Sequence, residues 1–214
     1  MEITWYGHSC FRLTERRMAT VVTDPYDHKE VGYKPLNLRG NIVSVSHDSP
    51  GHSNVLAVKS KPRIITGPGE FEIGGVFVTA VQTNSRKDKG SEKRNILCVF
   101  DFDGITVAHL GDIRRVPSQK QIEALGTVNI ALVPVGSGNG LNAAKAAEVV
   151  SLLEPGIVIP MHYSTPDCKI ELDSLDKFLK EMGLSNVEPI SSLKVVKSAI
   201  PSETRVEVLD YKQE

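Results

Sequence analysis

Residues 43–52, Val43-Ser44-Val45-Ser46-His47-Asp48-Ser49-Pro50-Gly51-His52, read as a strand that runs into a Pro-Gly loop carrying two histidines. A strand end followed by such a loop places His47 and His52 on one rim of a sheet. Two further segments repeat the arrangement. Ile105–Ala108 is an apolar strand ending in His109-Leu110-Gly111-Asp112, and Ile157–Pro160 ends in Met161-His162-Tyr163. Three separate strands thus deliver His or Asp at their C-terminal ends. Imidazole and carboxylate suit Zn²⁺ and Fe²⁺ alike, and rigid strand ends fix the ligand directions. Taken singly, a His after a strand is more often a hydrogen-bonded loop residue, and the Asp of a Gly-Asp turn more often caps that turn. Their conjunction predicts a shared site.

Working outward, the first half is a run of short segments rich in Val, Ile and Thr: Met1–Thr4, Ser9–Leu13, Thr20–Thr23, Asn41–Val45, Arg63–Thr66, Phe71–Ile73 and Val76–Gln82. Gly, Pro and Asp punctuate them, as expected of strands and turns. The polar stretch 86–94 lies between apolar runs and reads as an exposed hairpin loop. The second half has fully apolar strands at Asn95–Phe100, Ile105–His109, Ile130–Pro134 and Ile157–Met161. They alternate with amphipathic helices at Ser118–Leu125, Asn142–Glu154 and Leu172–Met182, and a strand at Arg205–Leu209 closes the chain. In the second helix, Ala143, Ala146, Ala147, Val150 and Leu153 recur at three- and four-residue steps and predict a narrow buried stripe. Periodicity alone supports α/β or α+β.

Composition sets bounds on function. The 214 residues carry 25 basic and 26 acidic side chains, a formal charge of −1. That balance lacks the basic footprint of a dedicated nucleic-acid binder. No apolar run reaches the roughly 18–20 residues that span a bilayer, and the start lacks the pattern of a signal peptide. Cys10, Cys98 and Cys168 are odd in number and widely spaced, which fits reduced thiols in a cytoplasm. At this length one core suffices, so a single domain over 1–214 is expected.

The ordered motifs carry a resemblance. They are 3–11 (ITWYGHSCF), Asp24-Pro25-Tyr26, 46–54 (SHDSPGHSN), 67–73 (GPGEFEI), 109–112 (HLGD), 132–136 (LVPVG) and 159–163 (IPMHY). In these the chain is similar to the metallo-β-lactamase fold superfamily. Within it the chain resembles the branch of L-ascorbate-6-phosphate lactonase and related metal-dependent hydrolases. The resemblance covers nearly the whole chain and implies an α+β four-layer αββα sandwich.

It also implies a site. The family motif His-x-His-x-Asp-His, a later His, a Gly-Asp carboxylate and a final His map onto His47, His52, Asp112 and His162. Ser49 stands at the second His, Gly51 at the cluster Asp, and Ser85 at or near the later His. The metal held by His47, Ser49 and Ser85 keeps one strong ligand of three, so that position is expected to be empty. The other metal keeps His52, Asp112 and His162. Asp48 is a candidate to replace the missing cluster Asp, and with His47 and Asp112 makes up the implied catalytic group; otherwise it is a turn residue. His8, Asp24 and His109 belong to motifs of this branch without being primary ligands, and are read either as orienting groups or as packing and turn residues. Glu70 and Glu72 read as structural, His28 as solvent-exposed and Cys10 as core.

Two functions follow from different classes. One is a hydrolase with one divalent metal (zinc, with manganese or iron as alternatives) acting on a small lactone, ester or phosphate-bearing molecule. The other is a metal-poor relative that keeps the fold for binding. Neither expects a nucleic-acid or membrane partner, and an exposed sheet edge leaves room for a homo-oligomer.

Overall fold

The computed structural model describes residues 1–83, 95–138 and 140–213. Ser85 and the stretch 86–94, expected from sequence to be a hairpin loop, therefore lie outside the described residues. The first half forms β1 (Glu2–Trp5), β2 (Phe11–Thr14), β3 (Val21–Thr23), a one-turn helix α1 (His28–Val31), β4 (Leu38–Arg39), β5 (Ile42–Ser44), β6 (Val58–Lys59), β7 (Arg63–Ile65), β8 (Gly69–Ile73) and β9 (Val76–Gln82). The second half forms β10 (Ile96–Phe102), β11 (Ile105–His109), α2 (Gln119–Leu125), β12 (Ile130–Pro134), α3 (Ala143–Leu153), β13 (Ile157–Met161), α4 (Leu175–Glu181), β14 (Leu193–Lys194) and β15 (Arg205–Val206).

Two mixed sheets result, ordered β14-β1-β2-β3-β5-β7 and β15-β13-β12-β11-β10-β9-β8, with β4 and β6 pairing separately. The period of two decides which side chains meet. Along β3, Val21 joins the large core and Val22 a smaller one; along β5, Ile42 and Val43 divide the same way. The large core takes Trp5 and Phe11 from the first sheet, Phe100 and Val107 from the second, and Ala146 and Val150 from α3. Strands β12 and β13 are buried at every position, as parallel strands covered on both faces must be.

The fold class expected from sequence holds, with one difference in the outer layers. All three longer helices come from the second half. On the outer side of the first sheet, α1 and the β4–β6 pair enclose the smaller core of Tyr6, Cys10, Val22, Tyr26, Val31 and Tyr33. Helix α3 is bounded as its sequence predicts: the Asn142 side chain accepts from the Lys145 N–H, and Glu154 turns left-handed after Leu153. Its buried stripe is Ala143, Ala146, Val149, Val150 and Leu153, with Ala147 only half-buried. The predicted strand 205–209 shortens to Arg205–Val206, because Leu209 bridges to Ile190 instead. Glu70 and Glu72 are exposed on β8, and His28 is half-buried at the start of α1.

Strand direction positions the site. Strands β3 and β5 run parallel with Thr23 opposite Ser44; β11, β12 and β13 run parallel with His109 opposite Leu132 and Pro134 opposite Met161. Asp24, the 46–52 loop, the 109–112 turn and His162 all leave the C-terminal ends of parallel strands, where loops of such sheets gather.

Candidate metal centre

The centre is assembled around the loop after β1. The His8 carbonyl accepts from the Trp5 indole N–H at 3.1 Å and from the His162 backbone N–H at 3.0 Å. The next carbonyl, of Ser9, accepts from Thr23 Oγ1 at 3.0 Å and from His109 Nε2 at 2.9 Å. Both sheets therefore hold this loop, and the His8 ring is fixed among the strand ends.

Asp24 organises the first-sheet side. Its carboxylate accepts from the Ser46 N–H at 2.7 Å, from Ser46 Oγ at 2.5 Å and from His52 Nδ1 at 2.7 Å. Burial pushes this carboxyl up, but nearby His109 and the bonds from His52 and Ser46 outweigh it and hold the pKa at about 2. The anion fixes two tautomers. His52 carries its proton on Nδ1 and presents a lone pair on Nε2. Ser46 spends its single hydroxyl proton on Asp24, so at 3.1 Å it accepts from His47 Nδ1. His47 then also has its lone pair on Nε2.

On the second-sheet side, Asn95 holds the 109–112 turn: its Oδ1 accepts from the Asp112 N–H at 3.0 Å and its Nδ2 donates to the Leu110 carbonyl at 3.1 Å. Asp112 Oδ1 lies 4.0 Å from His162 Nε2. Gly140 passes so close that a Cβ there would stand 2.5 Å from Asp112 Oδ1, so only glycine leaves that carboxylate its place. Gly136 does the same for the His162 backbone, whose carbonyl a Cβ would meet at 2.2 Å.

These elements bring the rings together. His8 Nε2 and His52 Nε2 are 3.2 Å apart, and ring centroids are 4.2 Å apart for His8–His162 and for His47–His52. Two overlapping groups, His8–His52–His162 and His47–His52–Asp112, each offer ligand atoms that lie within 4.8 Å of one another. His8, His52 and His162 are buried, and Asp112 Oδ1, His162 Nδ1 and His8 Nδ1 are buried without a hydrogen-bond partner. Unpaired polar atoms in such a place cost a few kcal/mol in order of magnitude, and a bound cation removes that cost for the carboxylate. The donor set fits a divalent metal. Burial, reinforced by the other histidines, keeps the His8 imidazole well below its ordinary pKa; burial also lowers His162, partly offset by Asp112. Neutral imidazole is the ligand form.

The four residues His47, His52, Asp112 and His162 are thus gathered in one place. Asp48 is exposed on the rim, accepting from Ser53 Oγ at 3.2 Å, and joins neither group. Ser49 contributes its carbonyl to the loop, accepting from the His52 and Ser53 N–H groups. His109 has both nitrogens committed, Nε2–H to Ser9 and Nδ1 to the Gly111 N–H at 3.2 Å, which makes it a strap between sheets. Sequence reasoning missed Asn95, Ser46 and Gly140. An Asn at the head of an apolar strand, Asn95 before Ile96, was the one available signal. A groove of about 670 Å³ opens beside His47, lined by Val45, Asp48, Val55, Ile64 and Thr66.

Comparison with known proteins agrees with this architecture. The profile of the beta-lactamase superfamily domain matches residues 2–162. A UPF0173 metal-dependent hydrolase of Thermoplasma acidophilum is 28% identical over 192 residues, spanning 78% of this chain and 85% of its own length. A UPF0173 protein of Pyrococcus abyssi is 30% identical over 187 residues, 77% of this chain and 84% of its own. A crystal structure from Thermotoga maritima, of a candidate Zn-dependent hydrolase of the metallo-beta-lactamase superfamily, superposes with a TM-score of 0.80 at 34% identity and covers 97% of both chains. With three quarters of its length matched by the profile and the sandwich reproduced throughout, the chain belongs to the metallo-β-lactamase superfamily.

Proposed function

We propose that the protein is a metal-dependent hydrolase of small ester, lactone or phosphate-bearing molecules, with one divalent metal held by His52, Asp112 and His162 and with His47 at its margin. The observation that carries this reading is the buried, unpaired Asp112 Oδ1 facing His162 at 4.0 Å, beside the lone pair that Asp24 imposes on His52. A bound divalent metal supplies Lewis acidity, polarising a carbonyl or phosphoryl oxygen and making water acidic enough to attack near neutral pH.

The chain's own residues do the rest. Asp24 keeps His52 in the tautomer a cation needs. Through Ser46 it also sets His47 with a proton on Nδ1 and its basic lone pair at Nε2, suited to taking a proton from water and returning it to a leaving oxygen. The groove beside His47 has aliphatic walls from Val45, Val55 and Ile64, which favours substrates with an apolar portion next to the scissile bond. Zinc suits this imidazole-rich set first, with manganese or iron as alternatives.

Ser49 and Gly51 favour a second reading, a metal-poor member that binds a small ligand without turnover. Hydrolysis assays separate the two. Protein loaded with Zn²⁺, Mn²⁺ or Fe²⁺ is offered aryl esters, lactones and aryl phosphates. Turnover that His162→Ala abolishes supports the hydrolase; fully metal-loaded protein inert toward all three classes contradicts it.

Among the described residues, no helix is long and apolar enough to cross a membrane.

A further inference from the structure

Gly51 lies in the loop between His47 and His52. Its backbone is not in the left-handed region, so nothing in the conformation demands glycine. What disfavours a side chain is space: a Cβ there would stand 3.0 Å from His8 Nε2 and 3.3 Å from Val31 Cγ1, so these neighbours would have to give by a few tenths of an ångström. Gly51 and His8 are therefore a matched pair, in which the volume a side chain at 51 would fill is taken by an imidazole from a different strand end. That ring is 1% exposed; its Nδ1 is unpartnered, and its Nε2 is hydrogen-bonded at 3.2 Å to the lone-pair nitrogen of His52, a contact that a cation between the two nitrogens would replace. His109, equally buried, shows the alternative: a structural histidine here has both nitrogens bonded.

We propose that His8 is a direct ligand of the metal, completing a three-histidine set with His52 and His162 next to Asp112, and that Gly51 exists to admit it. The chemistry agrees in kind and in dimension. Zinc is commonly held by three imidazoles, and two nitrogens on one tetrahedral zinc at 2.0–2.1 Å from each lie about 3.3 Å apart. The His8–His52 separation is 3.2 Å. The carbonyls of residues 8 and 9 are held by Trp5, His162, Thr23 and His109, so the ring is delivered to this place by the packing of both sheets.

This inference rests on the metal reading of the site, and the test keeps the two apart. Zn²⁺ affinity is measured by chelator competition on full-length wild type, His8→Ala, Gly51→Asp and the double variant His8→Ala/Gly51→Asp, with folding checked by circular dichroism. The expected result is tight binding by wild type, at least 100-fold weaker binding by His8→Ala, and recovery of at least tenfold in the double variant, where a carboxylate enters the volume the imidazole vacated. Gly51→Asp alone weakens binding by displacing His8. Imidazole ¹⁵N NMR of the wild type provides the same test without substitution: addition of Zn²⁺ shifts a His8 ring nitrogen by the amount typical of metallated imidazole, together with those of His52 and His162. If His8→Ala stays within threefold of wild type, or the His8 nitrogens do not respond while those of His52 and His162 do, the inference is overturned and the metal reading survives. Wild type that binds no Zn²⁺ overturns both.

Discussion

His52 donates Nδ1–H to Asp24 across 2.7 Å, and this one bond sets the chemistry of the whole rim. It commits the imidazole proton to the side away from His8 and His162. The same carboxylate governs His47 through Ser46, so a single buried anion chooses the tautomer of two rings.

Replacing Asp24 with Asn preserves shape but removes the charge. Metal affinity is expected to fall about 10- to 100-fold, the usual cost of losing a carboxylate that orients a histidine ligand. Chelator competition on folded protein measures it; unchanged affinity would show that the tautomer of His52 is set elsewhere.

Metal removal should lower thermal stability. A ligand at about 100 times its Kd stabilises the native state by about 2.7 kcal/mol. For a chain of this size that corresponds to roughly 5–10 °C in Tm. Calorimetry with and without chelator checks the shift, which should be absent in His162→Ala.

Asn95→Leu leaves the Leu110 carbonyl and the Asp112 N–H without their partners. A loss of about 1–3 kcal/mol in unfolding free energy is expected, together with weaker metal binding as Asp112 loses its position. Denaturant titration gives the first quantity and metal titration the second.

His109 supplies a pH-dependent element. Burial holds its imidazole below the ordinary value, against the opposing pull of Asp24 and the Ser9 carbonyl. A histidine whose folded pKa is lowered binds fewer protons than the unfolded chain below about pH 6.5. Its stabilising contribution is therefore complete above that pH, falls as pH drops from there to the folded pKa, and changes no further below it. In metal-free protein, His109→Gln is expected to cost about 1–3 kcal/mol at pH 7.5 through the weakened cross-sheet bond. Its stability should also decline less steeply than that of wild type between pH 6.5 and 5. A parallel decline would place the acid sensitivity in other groups.

The residues on one strand or helix were legible in the sequence, and those joined across space were not. Strands 130–134 and 157–161 announce themselves because burial on both faces forces unbroken apolar runs. The apolar stripe from Ala143 to Leu153 marks α3 because one face of that helix is buried. Histidines at strand ends marked the rim for the same local reason. The meeting of His8 with Gly51 and His52 joins positions 43 and 44 residues apart, and no periodicity encodes that distance. Gly51 read as a missing ligand in the sequence, whereas in the fold it is room for another residue. The outer layer of the first sheet was equally hidden, since two-residue strands and a one-turn helix leave no repeating pattern.

Metal content decides whether His52, Asp112 and His162 hold an ion. Protein purified without chelator is analysed by inductively coupled plasma mass spectrometry beside His162→Ala prepared identically. Close to one Zn, Mn or Fe per wild-type chain is expected, and almost none in the variant. Folded wild-type protein that stays metal-free when offered each metal in turn would show that these residues hold none.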